Sequence, residues 1–189
     1  MAIHNIKRVA PFAALAALLP AAAQAQEVNF TLNAEVDPIC EANSDRGENI
    51  EIDLGILSQT PTGTEVDSDG VVDITYVCND PDGFTRTITS INEGVLVRIG
   101  SGGGEGNEIP YFLSSEGGEG LAFSRLRLTA PLTRSFGGSR AFLDGVIGTL
   151  TITVNGVLEQ NAGNVNGVDR TTVFAGQYTD VITLAVTAN

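Results

Sequence analysis

Apolar and polar residues alternate with a period of two over several separate stretches of the chain. Because successive side chains of a β-strand point to opposite faces, this pattern is typical of strands with one buried face. The stretches are residues 28–36, 50–56, 72–78, 95–99, 150–154 and 178–186, with weaker candidates at 84–91 and 109–113. Residues 121–128 change phase near Ser124, which predicts a β-bulge there. Almost nothing in the sequence has a helical period.

Turn-forming residues separate these predicted strands. Asp, Asn, Gly and Pro cluster at residues 67–70, 79–83 and 136–139. Residues 100–120 and 155–170 are Gly-rich and predict long surface loops, the first interrupted only by the short apolar run 109–113. Many short strands joined by such turns favour a single antiparallel β-sandwich domain, and no linker-like segment divides it.

The amino terminus has the organisation of a secretory signal peptide. Lys7 and Arg8 precede a short apolar run at residues 12–19, and Ala23-Gln24-Ala25 matches an A-x-A cleavage site. The alternative, a membrane anchor, is disfavoured because the apolar run is well short of the ~20 residues that span a bilayer. We therefore expect residues 1–25 to be removed and the mature chain to be secreted.

Charge and composition exclude several classes of function. The full chain has a net charge of −13, and without Lys7 and Arg8 its 8 arginines face 23 carboxylates, a net charge of −15. Such a chain does not neutralise phosphates, so we expect no nucleic acid partner. The only histidine, His4, leaves with the signal peptide, which removes the commonest general base and metal ligand. No second apolar stretch is long enough to span a membrane.

The remaining candidates for chemistry are weak. Asp67, Asp69 and Gly70 begin a calcium-loop pattern, but its twelfth position is Cys78, so we interpret them as a turn. The glycines at 100–104 lack the Lys-Ser/Thr ending of a phosphate loop. Carboxylate pairs are the only catalytic chemistry left open, and the mature chain has no Trp to form a sugar platform. We predict no catalytic residues, no metal and no cofactor.

Two cysteines remain in the mature chain, Cys40 and Cys78. Their even number and the oxidising compartment that a signal peptide implies predict one structural disulfide. The alternative, a pair of free thiols, is uncommon outside the cytosol. Their separation is also too large for a C-x-x-C redox motif.

The first strand of the mature chain allows two interpretations. Its inward positions are apolar, at Val28, Phe30, Leu32, Ala34 and Val36. It is either the first strand of its own sandwich or a strand that completes a neighbouring molecule. Periodicity alone favours the first of these.

Five segments of the mature chain change that balance: residues 30–40, 52–57, 72–78, 108–113 and 175–187. In the first an alternating strand runs directly into a cysteine, and in the last the motif Ala-Gly-x-Tyr-x-Asp is followed by an alternating strand. In these segments the mature chain resembles the spore coat protein U family, which includes pilins of the archaic chaperone–usher type.

The resemblance implies an all-β, immunoglobulin-like antiparallel sandwich that is incomplete and is completed by donor-strand exchange. Residues 26–37 would be the donor strand and residues 38–189 the pilin-like domain. The implied partners are other pilus subunits, a periplasmic chaperone and an outer-membrane usher. The implied location is the periplasm in transit and then the cell surface, in a pilus or coat that serves adhesion and biofilm formation. The alternative is a self-complete secreted binding module or tip adhesin.

Overall fold

The computed structural model of the chain describes residues 30–59, 68–154, 157–158 and 173–189. Its regular secondary structure consists of strands and one short helix, α1 (Arg140–Asp144). The strands in chain order are β1 (Cys40–Asn43), β2 (Ser58–Gln59), β3 (Ser68–Cys78), β4 (Phe84–Ser90), β5 (Val95–Arg98), β6 (Glu108–Gly117), β7 (Phe123–Leu126), β8 (Leu132–Phe136), β9 (Val146–Val154), β10 (Val157–Leu158), β11 (Tyr178–Thr179) and β12 (Ile182–Ala188).

Two antiparallel sheets account for most of the strands. The larger has the order β1-β3-β9-β6-β5-β11, with β7 also paired to β6. The smaller has the order β12-β4-β8. A separate parallel pair joins β2 to β10 over two residues of each strand. β1 and β12, one edge strand from each sheet, lie against each other.

Aromatic side chains fill the space between the sheets. Phe84 at the start of β4 stacks on Tyr76 of β3 at 6.0 Å between ring centroids and on Phe136 of β8 at 4.9 Å. Phe142 of α1 meets the same ring edge-on at 4.9 Å. The inward side chains of β3, β6 and β9 complete the core, in alternation with exposed or half-exposed neighbours. The described residues from Val36 onward thus form an antiparallel β-sandwich, as the alternating pattern predicts.

Three local predictions can be compared with the strands. The bulge near Ser124 is confirmed, because β6 and β7 change register between the pairs Leu113↔Leu126 and Ser115↔Phe123. The strand candidate at residues 109–113 is confirmed as part of β6, but the surface loop predicted around it is wrong at residues 114–117, where β6 continues. β6 pairs with β9 along one edge and with β5 and β7 along the other, so backbone pairing from both sides holds a segment whose sequence is rich in Ser, Glu and Gly.

The strand predicted at residues 50–56 is also wrong. Its alternating residues Ile50, Ile52 and Leu54 pack against the core, but the backbone of residues 50–57 forms no strand. The apolar pattern therefore determines which side chains face inward here. It does not supply the neighbouring backbone that a strand needs for its hydrogen bonds.

Candidate functional site

The C-terminal strand β12 is an edge strand of the smaller sheet. It pairs with β4 in an unbroken antiparallel register from Ile182↔Ser90 to Ala188↔Phe84. Among the described residues, no strand pairs with its opposite edge. That edge therefore offers unpaired backbone N–H and C=O groups along seven residues.

The inward face of β12 is only half covered. Ile182, Leu184 and Val186 pack against the core but stay half exposed, whereas Phe84 and Ile88 of the adjacent strand are completely buried. Side chains of this sheet face are thus less completely covered at β12 than at β4. The missing cover is what a further strand beside β12 would provide.

The larger sheet is similarly open at the corresponding edge. Cys40 and Ala42 on β1 are half buried, and β1 stops pairing with β3 at Asn43↔Thr75. Beyond that point Ile52 and Leu54 lie over Gly70 of β3, where a Cβ would clash with the Ile52 side chain. We call the half-covered apolar residues of β1, of β12 and of residues 50–54 the open side of the sandwich.

The residues predicted to form a donor strand are exposed wherever the structure describes them. Phe30 is 85% exposed, Leu32 93% and Val36 81%, and Ala34 is exposed as well. Residues 30–39 form no strand. Val28 lies outside the described residues, as does the whole predicted signal peptide. The described part of this alternating apolar segment is therefore exposed to solvent.

The residues that follow the exposed segment are held by a disulfide and by hydrogen bonds. A disulfide joins Cys40 to Cys78, a directly paired position of β1 and β3. Asn79 holds the preceding residues, because its Oδ1 accepts from the Ile39 N–H at 2.6 Å and its Nδ2 donates to the Asp37 carbonyl at 3.0 Å. The sequence marked Asn79 only as the first residue of the turn signal at residues 79–83.

Asp180 anchors the start of β12. Its Oδ2 accepts from the hydroxyls of Ser90 and Tyr111, each at 2.6 Å, and its Oδ1 accepts from the N–H groups of Asn92 and Val181 at 3.0 and 2.8 Å. Burial of the side chain and, to a smaller extent, its hydrogen bond to Asp180 raise the pKa of Tyr111 well above its ordinary value. The neutral phenol therefore persists as a donor, and one carboxylate connects β12, β6 and the turn after β4. The Ala-Gly-x-Tyr-x-Asp motif was the only sequence signal for this role.

Metal-ligating clusters and membrane-spanning helices are two further features that the described residues could contain. No group of three or more His, Cys, Asp or Glu side chains there is close enough to hold a metal ion. No described helix is long and apolar enough to cross a membrane. Asp67, from the calcium-like fragment, lies outside the described residues, and Asp69 is part of β3.

Comparisons with known proteins leave the family open. No family model matches the sequence, so the resemblance to the spore coat protein U family stays a prediction. No curated protein matches it significantly. One similar solved chain comes from a chaperone–tip adhesin complex of CFA/I fimbriae biogenesis, with a TM-score of 0.48 and 17% identity over 79% of this chain. This chain spans 42% of that chain's length. A likeness at this level carries no conclusion about function.

Proposed function

We propose that this chain is a secreted structural subunit that polymerises into a surface pilus or coat. Residues 26–37 of one subunit insert as a strand beside β12 of the next. The observation that supports this most directly is the combination of two features in one chain. One is an alternating apolar segment left exposed, and the other is an edge strand whose inward apolar side chains are half covered.

The two features are complementary in period and chemistry. An added strand hydrogen-bonds to the free edge of β12, and every second side chain then points into the open side. Phe30, Leu32 and Ala34 occupy those alternate positions, while Thr31 and Asn33 point outward. Ile182, Leu184 and Val186 repeat with the same period on β12.

The burial of apolar surface supplies the driving force. Fully burying the five alternating apolar side chains of residues 28–36 at ~1.5–3 kcal/mol each gives roughly 8–15 kcal/mol. This is an upper value because Ala34 is small and the free segment is not fully extended. Backbone hydrogen bonds along the strand add to it. Such a contact is heterologous, since the donor surface differs from the acceptor surface, so it builds open filaments and not closed rings.

The open side also explains why assembly partners are needed. A free strand edge next to half-covered apolar side chains promotes aggregation. We propose that a periplasmic chaperone covers it in transit and that an outer-membrane usher exchanges the chaperone for the next subunit. The disulfide and Asn79 give the donor segment a rigid attachment point at residues 37–40.

Deleting the donor segment tests the proposal. We expect the mature chain to form ladders on gels run without heating and fibres in electron micrographs, and a variant lacking residues 26–36 to remain monomeric. A synthetic peptide of residues 26–37 added to that variant then raises its melting temperature, because the peptide binds only the folded acceptor. Wild-type-like polymers from the deletion variant would contradict the proposal.

A matched pair of substitutions separates strand insertion from a general effect of charge. Leu32→Asp and Asn33→Asp each add one carboxylate to the same segment, but on opposite faces of the strand. We expect the first to abolish polymers and the second to leave them. On the acceptor, Leu184→Asp should abolish polymers and Ala185→Asp, on the exposed face of β12, should not. Equal behaviour within either pair argues against insertion.

A further inference from the structure

Two arginines face each other directly across the smaller sheet. Arg86 of β4 is the register partner of Arg134 of β8, two residues along from the buried pair Phe84↔Phe136, so both lie on the inward side. Arg86 is completely buried, and Arg134 is exposed at the edge. Like charges at directly opposite positions destabilise a sheet, so this arrangement needs a physical reason.

Neutral acceptors surround both guanidinium groups. Arg86 donates to the Leu121 carbonyl at 3.2 Å and to the Tyr76 hydroxyl at 3.4 Å, and Arg134 donates to the carbonyls of Gly120 and Ala122 at 3.2 and 2.8 Å. Within the part of the chain that the structure describes, neither arginine pairs with a carboxylate, and Nε of Arg86 has no hydrogen-bond partner. Two positive charges thus share one region without a counter-charge.

A shallow depression of about 580 Å³ lies beside these charges, between β7 and β8. Ser115, Phe123, Ser124 and Arg134 are among the residues that line it, and no carboxylate is. Phe123 connects the two features, because its ring is 5.5 Å from the Arg86 guanidinium. Arg134 uses only Nη1 for the two carbonyls, which leaves its Nε and Nη2 donors for a ligand.

We propose that this depression binds the carboxylate of an acidic monosaccharide of the hexuronic acid type. The Nε and Nη2 groups of Arg134 form the planar fork that matches a carboxylate. The half-exposed ring of Phe123 offers a face for the sugar ring, and Ser124 offers a hydroxyl. Arg86, buried behind Phe123, adds positive potential where burial limits screening. This site is on β7 and β8, away from the open side, and does not depend on polymerisation.

Titration with sodium glucuronate tests the site in the isotopically labelled mature chain, residues 26–189, carrying Leu32→Asp, which we expect to keep it monomeric; the variants below carry the same substitution. We expect saturable shifts of the backbone amide signals of residues 115 and 122–126, and none with glucose. The chain repels anions at long range because its net charge is −15, so the titration is run near 0.15 M salt, where screening acts over about 8 Å.

Substitution of Arg134 provides the decisive comparison. Arg134→Gln should weaken glucuronate binding by about 10- to 100-fold, the range for one charge-assisted pair. It should leave the urea midpoint nearly unchanged, since it also removes a like-charge contact. Arg140→Gln, an exposed arginine outside the depression, is the matched control and should bind as the wild type does.

Several outcomes would overturn the proposal. They are the absence of saturable shifts, equal shifts with glucose or with sodium sulfate, and full binding by Arg134→Gln. A fourth is the appearance of the same shifts on concentrating the protein without sugar. That result would assign the depression to carboxylates of a second copy of this chain.

Discussion

Asp180 is a side chain whose removal should strongly disturb β12. It accepts four hydrogen bonds, two from hydroxyls and two from backbone N–H groups, and it lies two residues before Ile182, where β12 begins. Replacing it with alanine detaches the start of β12 from β6 and from the turn after β4. If the open side is the acceptor site, this loss should weaken both folding and strand insertion.

The loss of unfolding free energy follows from the hydrogen bonds that Asp180 accepts. Hydrogen bonds to a charged group contribute about 1.5–3 kcal/mol each, but exposed donors recover part of that from water. Tyr111 does not, because its side chain is 1% exposed and its hydroxyl would be left without an acceptor, which costs about 1–3 kcal/mol. We therefore expect Asp180→Ala to lower the free energy of unfolding by about 4 kcal/mol, and Asp180→Asn, which keeps one acceptor oxygen, by about half of that.

Urea unfolding followed by circular dichroism measures these losses in the Leu32→Asp background, which we expect to stay monomeric. With an m-value of about 2 kcal/mol per M, Asp180→Ala should move the midpoint by about 2 M. Asp144→Ala removes an exposed carboxylate that makes no described hydrogen bond, and should change stability by less than about 0.5 kcal/mol. A double-mutant cycle with Tyr111→Phe should give a coupling energy of about 1–2 kcal/mol. Additive effects of the two changes, or equal losses from the Asp180 and Asp144 substitutions, would refute the reasoning.

Three further predictions concern the sandwich itself. Burial raises the pKa of all three tyrosines, so absorbance at 295 nm should show tyrosine ionisation at higher pH in the native protein than in the urea-unfolded chain. Their contribution to stability is present below pH 10 and is lost as pH rises above it, which unfolding curves at pH 8–11 would reveal. Reduction of the Cys40–Cys78 disulfide, whose partners are 38 residues apart, should cost about 4 kcal/mol in urea unfolding, and an unchanged midpoint would contradict this. Gly83→Ala should cost about 2–3 kcal/mol, because φ is +84° and a Cβ would meet the Phe136 carbonyl, while Gly118→Ala, which has open space, should be nearly neutral by the same assay.

Strand pairing explains which strands the alternating pattern predicts correctly and which it does not. β3, β9 and β12 follow their alternating residues closely, because each has a neighbouring strand on at least one edge. Residues 50–56 carry the same pattern and form no strand. Residues 114–117 carry almost none and belong to a strand that has partners along both edges. A strand depends on the backbone beside it, which the sequence of one segment does not specify.

The arginine in β4 shows a second limit. Within its own segment Arg86 weakens the expectation of a buried strand, since a lone charge is costly to bury. The structure buries it completely because acceptors and ring faces come from β3, β8 and the turn after β6, all distant in sequence. The depression beside Arg86 could not be predicted from the sequence either, because its lining comes from three separate strands.

The all-β class, the inward face of most strands and the acidic character of the chain can all be predicted from the amino-acid sequence, as can an alternating apolar segment before the first cysteine. These are properties of single segments, because a period of two is visible without knowing any partner. The position of β12 at an edge with half-covered side chains, and the two arginines opposite each other beside a depression, appear only in the folded chain. Both features arise from contacts between segments far apart in the chain, and burial and electrostatic environment are properties of those contacts.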